Sequence, residues 1–143
     1  MAELPLLQFR KPEPSDVDAL YRQKNDPLVI SSLGGFSRGY ARRDIDDWIE
    51  RMRTAKSDAV YVISEEGGSC IGHLGLYDID HRTRSAEFGI MIGDPAWWGR
   101  GIGTRCVEWS LRYGFDELAL HRIHLSVLVD NHRALRLYER CGF

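Results

Sequence analysis

The stretch from residue 85 to residue 104, SAEFGIMIGDPAWWGRGIGT, decides the fold predicted for this chain. Its first part predicts a β-strand from Ser85 to Gly93, because apolar residues recur at every second position. Asp94-Pro95 closes that strand, and glycines follow at positions 99, 101 and 103. From Ile102 to about Glu117 the apolar residues return at the spacing of a helix turn. The stretch therefore predicts a strand, a glycine loop and a helix in direct succession.

A glycine loop between a strand and a helix is a candidate anion site. Glycines let the backbone approach a ligand closely, and the free N–H groups at a helix start favour negative charge. Residues 99–104 therefore suit a phosphate or pyrophosphate, although a tight turn without a ligand fits them as well. Their spacing is GxGxG rather than the GxGxxG of dinucleotide folds, and the residue after Gly103 is not the Lys of a P-loop. This spacing disfavours kinase or NTPase chemistry.

The rest of the chain alternates between strand and helix patterns. Strands are expected at residues 6–10, 59–64, 70–77 and 121–129, helices at 15–24, 42–53 and 131–140, and an irregular segment at 28–40. Neither a repeat nor a linker interrupts this order. We therefore expect one α/β domain over residues 1–143, built on a mixed sheet with helices packed on it.

Composition excludes several classes of protein. The 143 residues are 43% hydrophobic and 28% charged, as in globular domains, with a formal charge of −2 that gives no overall basic field for nucleic acid or an anionic membrane. Neither a membrane span nor a signal peptide is evident, so we expect a soluble, cytoplasmic protein. Cys70, Cys106 and Cys141 lack paired metal spacing. We expect them to be buried free thiols and expect no metal.

Two segments resemble the GNAT superfamily of N-acetyltransferases, in the branch of the ribosomal-protein N-terminal and spermidine N-acetyltransferases. Residues 86–104 are similar to the family's acetyl-CoA motif, which is Gln or Arg, two residues, Gly, one residue, then Gly or Ala. Residues 130–143, DNHRALRLYERCGF, are similar to its Asn-x-x-Ala segment ending in Leu-Tyr-Glu-x-x-Gly-Phe. The resemblance implies a mostly antiparallel central sheet with helices on both faces.

The resemblance also implies how acetyl-CoA is bound as co-substrate. Backbone groups of Ile90, Met91 and Ile92 would pair with the pantetheine arm, and Asn131 would bind the same arm. The residues that would hold the pyrophosphate are Gly99, Arg100, Gly101, Ile102, Gly103 and Thr104. Trp98 stands where the family usually has Gln or Arg, but the phosphate-binding N–H groups belong to the backbone. Further candidates for the phosphate charge are Arg105, Arg133 and Arg136.

Two side chains are the candidate catalytic groups. A primary amine with a pKa near 10.4 is mostly protonated at pH 7, so its acetylation needs a proton acceptor. Glu87 is the first candidate base, since it lies on the cofactor strand; pairing with Arg82 or Arg84, or binding a cationic acceptor, are alternatives. The resemblance implies that Tyr138 protonates the departing CoA thiolate. His73 and His124, both on predicted strands, are weaker candidates.

The resemblance implies an enzyme that moves an acetyl group from acetyl-CoA to a primary amine by direct attack. The acceptor is a protein N-terminus, a polyamine or another small amine, and residues 25–40, whose one acid is Asp26, are expected to shape that choice. The alternative is a non-catalytic acyl-CoA-binding or sensing module. A homodimer is a common family arrangement. Because the family pattern continues beyond Gly142-Phe143, we expect its C-terminal strands to be absent from this chain.

Overall fold

The computed structural model describes residues 6–33 and 39–143. Within them the order of elements is β1 (Leu7–Arg10), α1 (Val17–Lys24), α2 (Pro27–Ser32), α3 (Arg42–Thr54), β2 (Ala59–Glu65), β3 (Cys70–Asp80), β4 (Ser85–Ile92), α4 (Ile102–Arg112), β5 (Arg122–His124) and α5 (His132–Arg140). One π-helical turn, Tyr113–Glu117, extends α4. In these two ranges, no helix has the length and apolar character needed to cross a membrane.

The five strands form one sheet in the order β1-β2-β3-β4-β5. The pairs β1–β2, β2–β3 and β3–β4 are antiparallel, whereas β5 runs parallel to β4. This arrangement confirms the predicted mixed, mostly antiparallel sheet. A parallel neighbour requires a crossover connection, and the chain between β4 and β5 supplies it through α4.

Each face of the sheet carries its own helices. Ala86 and Phe88 of β4 are buried in a core with Ile102, Cys106 and Val107 of α4, and residues of α5 pack against this core. On the other face, a separate core joins the sheet to α1 and α3; its members are Val17, Ala19, Leu20, Ile45, Ile49, Val62 and Cys70. Burying each large apolar side chain contributes roughly 1.5–3 kcal/mol. Helices on both faces were predicted, and this is confirmed.

The segment predicted to be irregular, residues 28–40, instead begins with a helix. Asp26 accepts a hydrogen bond from the Leu28 N–H group at 2.9 Å, and Pro27 occupies the first helical position. Both features favour a helix start. The prediction was therefore wrong for α2, and residues 34–38 lie outside the described residues.

The strand predicted at residues 121–129 is confirmed only at Arg122–His124. Its pairing with β4 ends where Glu87 faces His124, although β4 itself continues to Ile92. The alternating apolar residues after His124 had suggested that the strand continues. Alternation favours a strand only where a neighbouring strand is available to pair with it. Here Leu128 and Val129 are exposed, at 49% and 79%. The two strands therefore part within the sheet and leave one edge of β4 open.

The cysteine prediction is confirmed at two positions of three. Cys70 and Cys106 are buried free thiols, whereas Cys141 is only partly buried. Burial raises the pKa of the Cys70 thiol to about 11 and that of Cys106 to about 12. Both thiols are therefore protonated at neutral pH and are poor nucleophiles.

Candidate active site

A cleft of about 370 Å³ borders the open edge of β4. Its walls come from β4, the glycine loop, the start of α4, the helix α5 and the end of α2. The cleft brings together most of the predicted cofactor residues, namely Ile90, Met91, Ile92, Gly99, Gly101, Ile102, Gly103, Thr104 and Asn131, and adds Tyr138. Arg100 and Glu87, which were also predicted site residues, are not among the residues that line it.

The open edge of β4 presents backbone groups to the cleft. The Gly93 N–H group donates to the Ile71 carbonyl on the β3 side, at 2.8 Å. Because backbone groups alternate between the two edges of a strand, those of Ile90 and Ile92 face the open edge and those of Met91 face β3. An extended, amide-containing chain could therefore pair with Ile90 and Ile92, while Met91 is turned away from that pairing.

One carbonyl oxygen on that open edge, that of Ile92, accepts a hydrogen bond from Trp98. Its indole N–H group donates to the Ile92 carbonyl oxygen at 2.9 Å, and the Arg133 guanidinium lies 4.4 Å from its ring. Trp98 thereby ties the end of β4 to α5. In the sequence, Trp98 was noted only because the family usually has Gln or Arg at this position. Trp, Gln and Arg all carry a hydrogen-bond donor, and this shared property could have indicated that the side chain donates a hydrogen bond here.

The glycine loop has the backbone conformation that its composition predicts. Gly99 and Gly101 have φ angles of 74° and 79°, in the left-handed region that glycine adopts without strain. Gly101 also caps α4, so the first N–H groups of this helix lie at the cleft. A Cβ at Gly103 would come within 2.9 Å of Leu137 on α5. Glycine at this position lets the two helices approach each other closely.

Arginines surround the loop. Arg133, Arg136 and Arg140 of α5 line the cleft, and together with the N-terminus of α4 they make this wall suitable for phosphate groups. Arg100 instead lies over the ring of Trp97, at 4.5 Å. Sequence reasoning had named Arg133 and Arg136 as candidates but had missed Arg140.

Asn131 joins two walls of the cleft. Its side-chain oxygen accepts a hydrogen bond from the Ala134 N–H group at 3.1 Å and so caps α5. Its amide group donates to the Ser32 carbonyl, at the end of α2, at 2.9 Å. The resemblance had implied a cofactor contact for Asn131. The structure adds a positioning role, since this side chain holds α2 against α5.

Tyr138 lies on α5, on the α4 side of the sheet. Its ring meets the edge of Phe88 with 6.2 Å between centroids and also packs against Phe143. Burial raises the pKa of the Tyr138 hydroxyl above its usual value near 10. The hydroxyl is therefore protonated at neutral pH and can donate a proton or a hydrogen bond.

Glu87 lies on the opposite face of the sheet. It shares that face with Met91, which is in register with His73, and the His73 ring contacts Trp48 of α3 at 5.0 Å. Glu87 lies beside His124, with 3.8 Å between Oε2 and Nε2, and in the described part of the chain neither Arg82 nor Arg84 is within ion-pair distance of it. The alternative in which Glu87 pairs with Arg82 or Arg84 is therefore wrong. The carboxylate is about half exposed and stands where β4 and β5 part.

Tyr77 was not anticipated as part of this face. Its ring covers Gly75 and Gly89, where a Cβ would come within 2.7 Å and 3.1 Å of it respectively. These two glycines are in register across β3 and β4, so together they make room for the ring. Tyr77 is in register with Glu87, so its ring lies next to Glu87 on this face of the sheet. Glycines within predicted strands indicate a close approach by another group, and Gly75 and Gly89 could have indicated that a large side chain lies over them.

Comparisons with known proteins identify the family. The family model described as Acetyltransferase (GNAT) domain matches residues 7–143. The chain therefore belongs to the GNAT acetyltransferase family, as the two sequence segments had indicated. The comparisons support its being an acetyl-CoA-dependent N-acetyltransferase and favour the enzyme over the non-catalytic module.

Two relatives and one solved structure illustrate the match. Spermidine N(1)-acetyltransferase of Vibrio cholerae is 40% identical over 138 residues, which cover 96% of this chain and 78% of the relative. The Escherichia coli K12 enzyme of the same name is 31% identical over 138 residues, covering 96% and 72%. The crystal structure of the Vibrio cholerae enzyme in complex with CoA and spermine superimposes with a TM-score of 0.86 at 28% identity, covering 95% of this chain and 79% of that one.

Proposed function

We propose that this chain acetylates a small primary amine by direct attack of the amine on the thioester of acetyl-CoA, at the point where β4 and β5 part. One observation carries the proposal: Tyr138 and Glu87 approach this opening from opposite faces of the sheet. The two proton-handling groups of a direct transfer are then on different sides of the reacting carbonyl. The leaving thiolate and the attacking amine need this separation.

The residues of the cleft fit acetyl-CoA. The left-handed glycines, the start of α4 and the arginines of α5 suit a pyrophosphate, and the open edge of β4 suits an amide-containing arm. When bound, acetyl-CoA supplies an activated acyl group on sulfur. Gly99, Gly101, Gly103 and Thr104 are the proposed pyrophosphate residues, and Ile90 and Ile92 the proposed partners of the arm.

The side chains divide the proton transfers. Glu87 accepts a proton from the ammonium form of the amine, so that the nitrogen lone pair can form the new C–N bond as the C–S bond breaks. Tyr138 donates a proton to the sulfur that departs. Proton transfer by a positioned side chain contributes about 10²–10⁴ in rate. The acetylated nitrogen gives up its second proton to solvent, and solvent returns Glu87 and Tyr138 to their starting protonation states, so the products are a neutral amide and a thiol.

Spermidine and spermine belong in the first set of acceptors to assay, because relatives of this chain are named for spermidine. Protein N-termini and other small amines complete the set. The single domain over residues 1–143, the homodimer and the cytoplasmic location remain predictions.

The test combines binding with turnover. Acetyl-CoA at a hundred times its Kd should stabilise the protein by about 2.7 kcal/mol, seen as a rise in Tm, whereas NAD should have no effect. CoA release should then depend on an added amine, and mass spectrometry should find the product heavier by one acetyl group. Stabilisation by acetyl-CoA with no release on any amine would contradict the proposal and support a binding module.

A further inference from the structure

The Tyr77 ring lies beside the opening between β4 and β5. Its Cε2 atom would be 2.9 Å from a Cβ at Gly75 and 3.1 Å from a Cβ at Gly89, so the ring reaches from β3 across to β4. The pairing of β4 with β5 ends at Glu87, and Gly89 is the next residue of β4 on the same face. The ring therefore covers this face of the sheet where the outer edge of β4 becomes open.

At Gly89 this face of β4 has no side chain of its own. Glu87 and Met91 flank Gly89 on the face, and the Tyr77 ring fills the interval between them. Alanine at Gly75 would collide with the ring, because its Cβ would lie 2.7 Å from Cζ. A molecule that reaches Glu87 along this face of the strand therefore lies on the Tyr77 ring.

The outer side of the Tyr77 ring has no structural role in the described part of the chain. Tyr77 belongs to neither hydrophobic core, and both Tyr77 and Gly89 are partly exposed. Among residues 6–33 and 39–143, no other aromatic ring stacks on Tyr77, no cation lies over it, and its hydroxyl makes no hydrogen bond. The sheet supports the ring from one side and leaves the other side to a ligand.

The groups at the ring favour a cation. Burial, with a smaller effect from the Asp58 carboxylate, raises the pKa of the Tyr77 hydroxyl to about 12, so the side chain stays neutral. Glu87, in register with Tyr77, is a second acid. The face of an aromatic ring is itself negative and attracts ammonium groups. Two acids and one aromatic face thus adjoin the same space.

Two cations near this face are directed elsewhere. The Arg122 guanidinium lies against His124, with 3.4 Å between Nη1 and Nδ1, and the Lys24 ammonium lies 4.4 Å from the centroid of the Trp48 ring. His124 is 3.8 Å from Glu87, which is longer than a hydrogen bond. Glu87 can therefore still accept a proton from a ligand.

We propose that Tyr77 determines acceptor specificity by binding the alkylammonium group of the acceptor on the outer face of its ring, beside Glu87. A primary amine is mostly an ammonium ion at pH 7, so the ring binds the form that predominates in solution. Glu87 then removes the proton from a nitrogen that is already in place. This inference rests on the proposed function, which supplies the amine acceptor.

A series of ring fluorines tests the contact. Phenylalanine with no, one, two or three ring fluorines is incorporated at position 77, which weakens the negative face of the ring and keeps its shape. KM for the amine should rise with each fluorine, to about tenfold with three, while KM for acetyl-CoA stays unchanged. Fluorine makes the ring more apolar, so packing alone would leave KM for the amine unchanged or lower it. A KM that does not rise would overturn the proposal.

Tyr21 provides the matched control. It is partly buried like Tyr77 and has a cation, the Arg42 guanidinium, 5.6 Å from the centroid of its ring, but it lies on α1. The same fluorine series at position 21 should leave KM for the amine unchanged. A parallel rise would overturn the proposal, because the effect would then not belong to the opening between β4 and β5.

Two simple variants separate binding from chemistry. Tyr77→Leu keeps an apolar side chain over the two glycines but has no aromatic face, and Tyr77→Phe restores that face. The leucine variant should raise KM for the amine about tenfold with little change in kcat, and the phenylalanine variant should restore KM to within about twofold. A fall in kcat without a rise in KM in the leucine variant would overturn the proposal.

A binding measurement separates this inference from the proposed function. Choline and 3,3-dimethylbutan-1-ol have the same shape, but only choline carries a charge, and its nitrogen cannot be acetylated. Measured by NMR line broadening, choline should bind about fivefold more tightly than the alcohol. A preference that is lost with trifluorophenylalanine at position 77 and kept with it at position 21 would support the ammonium site even if no amine were acetylated. Equal binding of the two probes, or a preference that fluorination at position 77 leaves undiminished, would overturn the inference while leaving amine acetylation intact.

Discussion

The Tyr138 side chain brings one hydroxyl to the cleft, and its surroundings keep that hydroxyl protonated. Burial raises its pKa, so it is a donor over the whole range in which an amine can be assayed. We expect Tyr138→Phe to lower kcat about 100-fold, because the departing thiolate loses its proton donor. KM for acetyl-CoA should stay within about twofold, since the ring that packs on Phe88 is kept. Steady-state kinetics at saturating amine measure both values.

A second tyrosine provides the control for this prediction. The Tyr113 hydroxyl hydrogen-bonds to that of Tyr61 at 2.8 Å, on the same side of the sheet but outside the cleft. Tyr113→Phe should leave kcat unchanged. If Tyr138→Phe lowered kcat and acetyl-CoA affinity equally, its role would be in binding and not in proton transfer.

Side-chain chemistry could be predicted at some single residues and not at others. Tyr138 and Asn131 were predicted site residues because the residues around them form a recognisable motif. Trp98 was not, since its donation to Ile92 depends on how the chain turns between β4 and α4.

At the scale of one loop, Gly99 can be compared with Gly67, which has nearly the same backbone conformation. Gly99 and Gly67 have φ angles of 74° and 72°, and a Cβ at either position would meet nothing within 4 Å. Alanine at either should therefore cost a similar roughly 1–2 kcal/mol of unfolding free energy. Only Gly99→Ala should weaken acetyl-CoA binding, by about tenfold, because Gly67 lies in the β2–β3 turn. Urea unfolding and calorimetric titration measure the two effects. Equal acetyl-CoA affinity in both variants would argue against the loop as the phosphate site.

Asn131 supports two elements, and two substitutions separate its effects. Asn131→Ser keeps an oxygen that can cap α5 but cannot reach the Ser32 carbonyl, whereas Asn131→Ala loses both contacts. We expect the alanine variant to be less stable than the serine variant by about 1 kcal/mol, the usual value of an N-cap. KM for acetyl-CoA should rise in both variants, since α2 is no longer held at the cleft. A normal KM in Asn131→Ser would show that the link to Ser32 is without effect on the site.

The boundaries of helices and strands show which parts of the fold could be predicted from the sequence. The strand, loop and helix of residues 85–117 were predicted almost to the residue, because their periodicity and glycine positions are local signals. The helix α2 was missed because it is only six residues long and its helical pattern is weak. It forms nevertheless, because Asp26 caps its first turn. The end of β5 was misplaced because strand pairing depends on a neighbour and not on the strand itself.

At the scale of the whole molecule, His73 makes stability depend on pH. Burial, with a smaller effect from Lys24, lowers its pKa from 6.5 to about 3. In the folded protein His73 is therefore neutral where the unfolded chain binds a proton. Stability from this residue is full above pH 6.5 and is lost as the pH falls from 6.5 toward 3. One proton corresponds to a slope of about 1.4 kcal/mol per pH unit.

The prediction is a difference between variants. His73→Gln should reduce the slope of unfolding free energy between pH 6 and pH 4 by about 1.4 kcal/mol per unit, relative to the unmodified protein. His81→Gln, at an exposed position in the β3–β4 turn, should leave the slope nearly unchanged. Urea unfolding at several pH values measures it. An unchanged slope in His73→Gln would show that another group sets the acid limit.

The chemistry of the site is the part that only the whole fold reveals. The sequence named Glu87 and Tyr138 but did not place them on opposite faces. That placement results from alternation along β4, the direction of the crossover through α4, and the length over which β5 remains paired. These are long-range properties of the sheet, and local patterns do not specify them.

The hydrogen bond from Asn131 to the Ser32 carbonyl has a consequence for kinetics. Ser32 and Leu33 line the cofactor cleft, so this hydrogen bond fixes part of the cleft wall before CoA binds. Loss of the bond in Asn131→Ser should therefore slow the association of acetyl-CoA, because the end of α2 must then be ordered during binding.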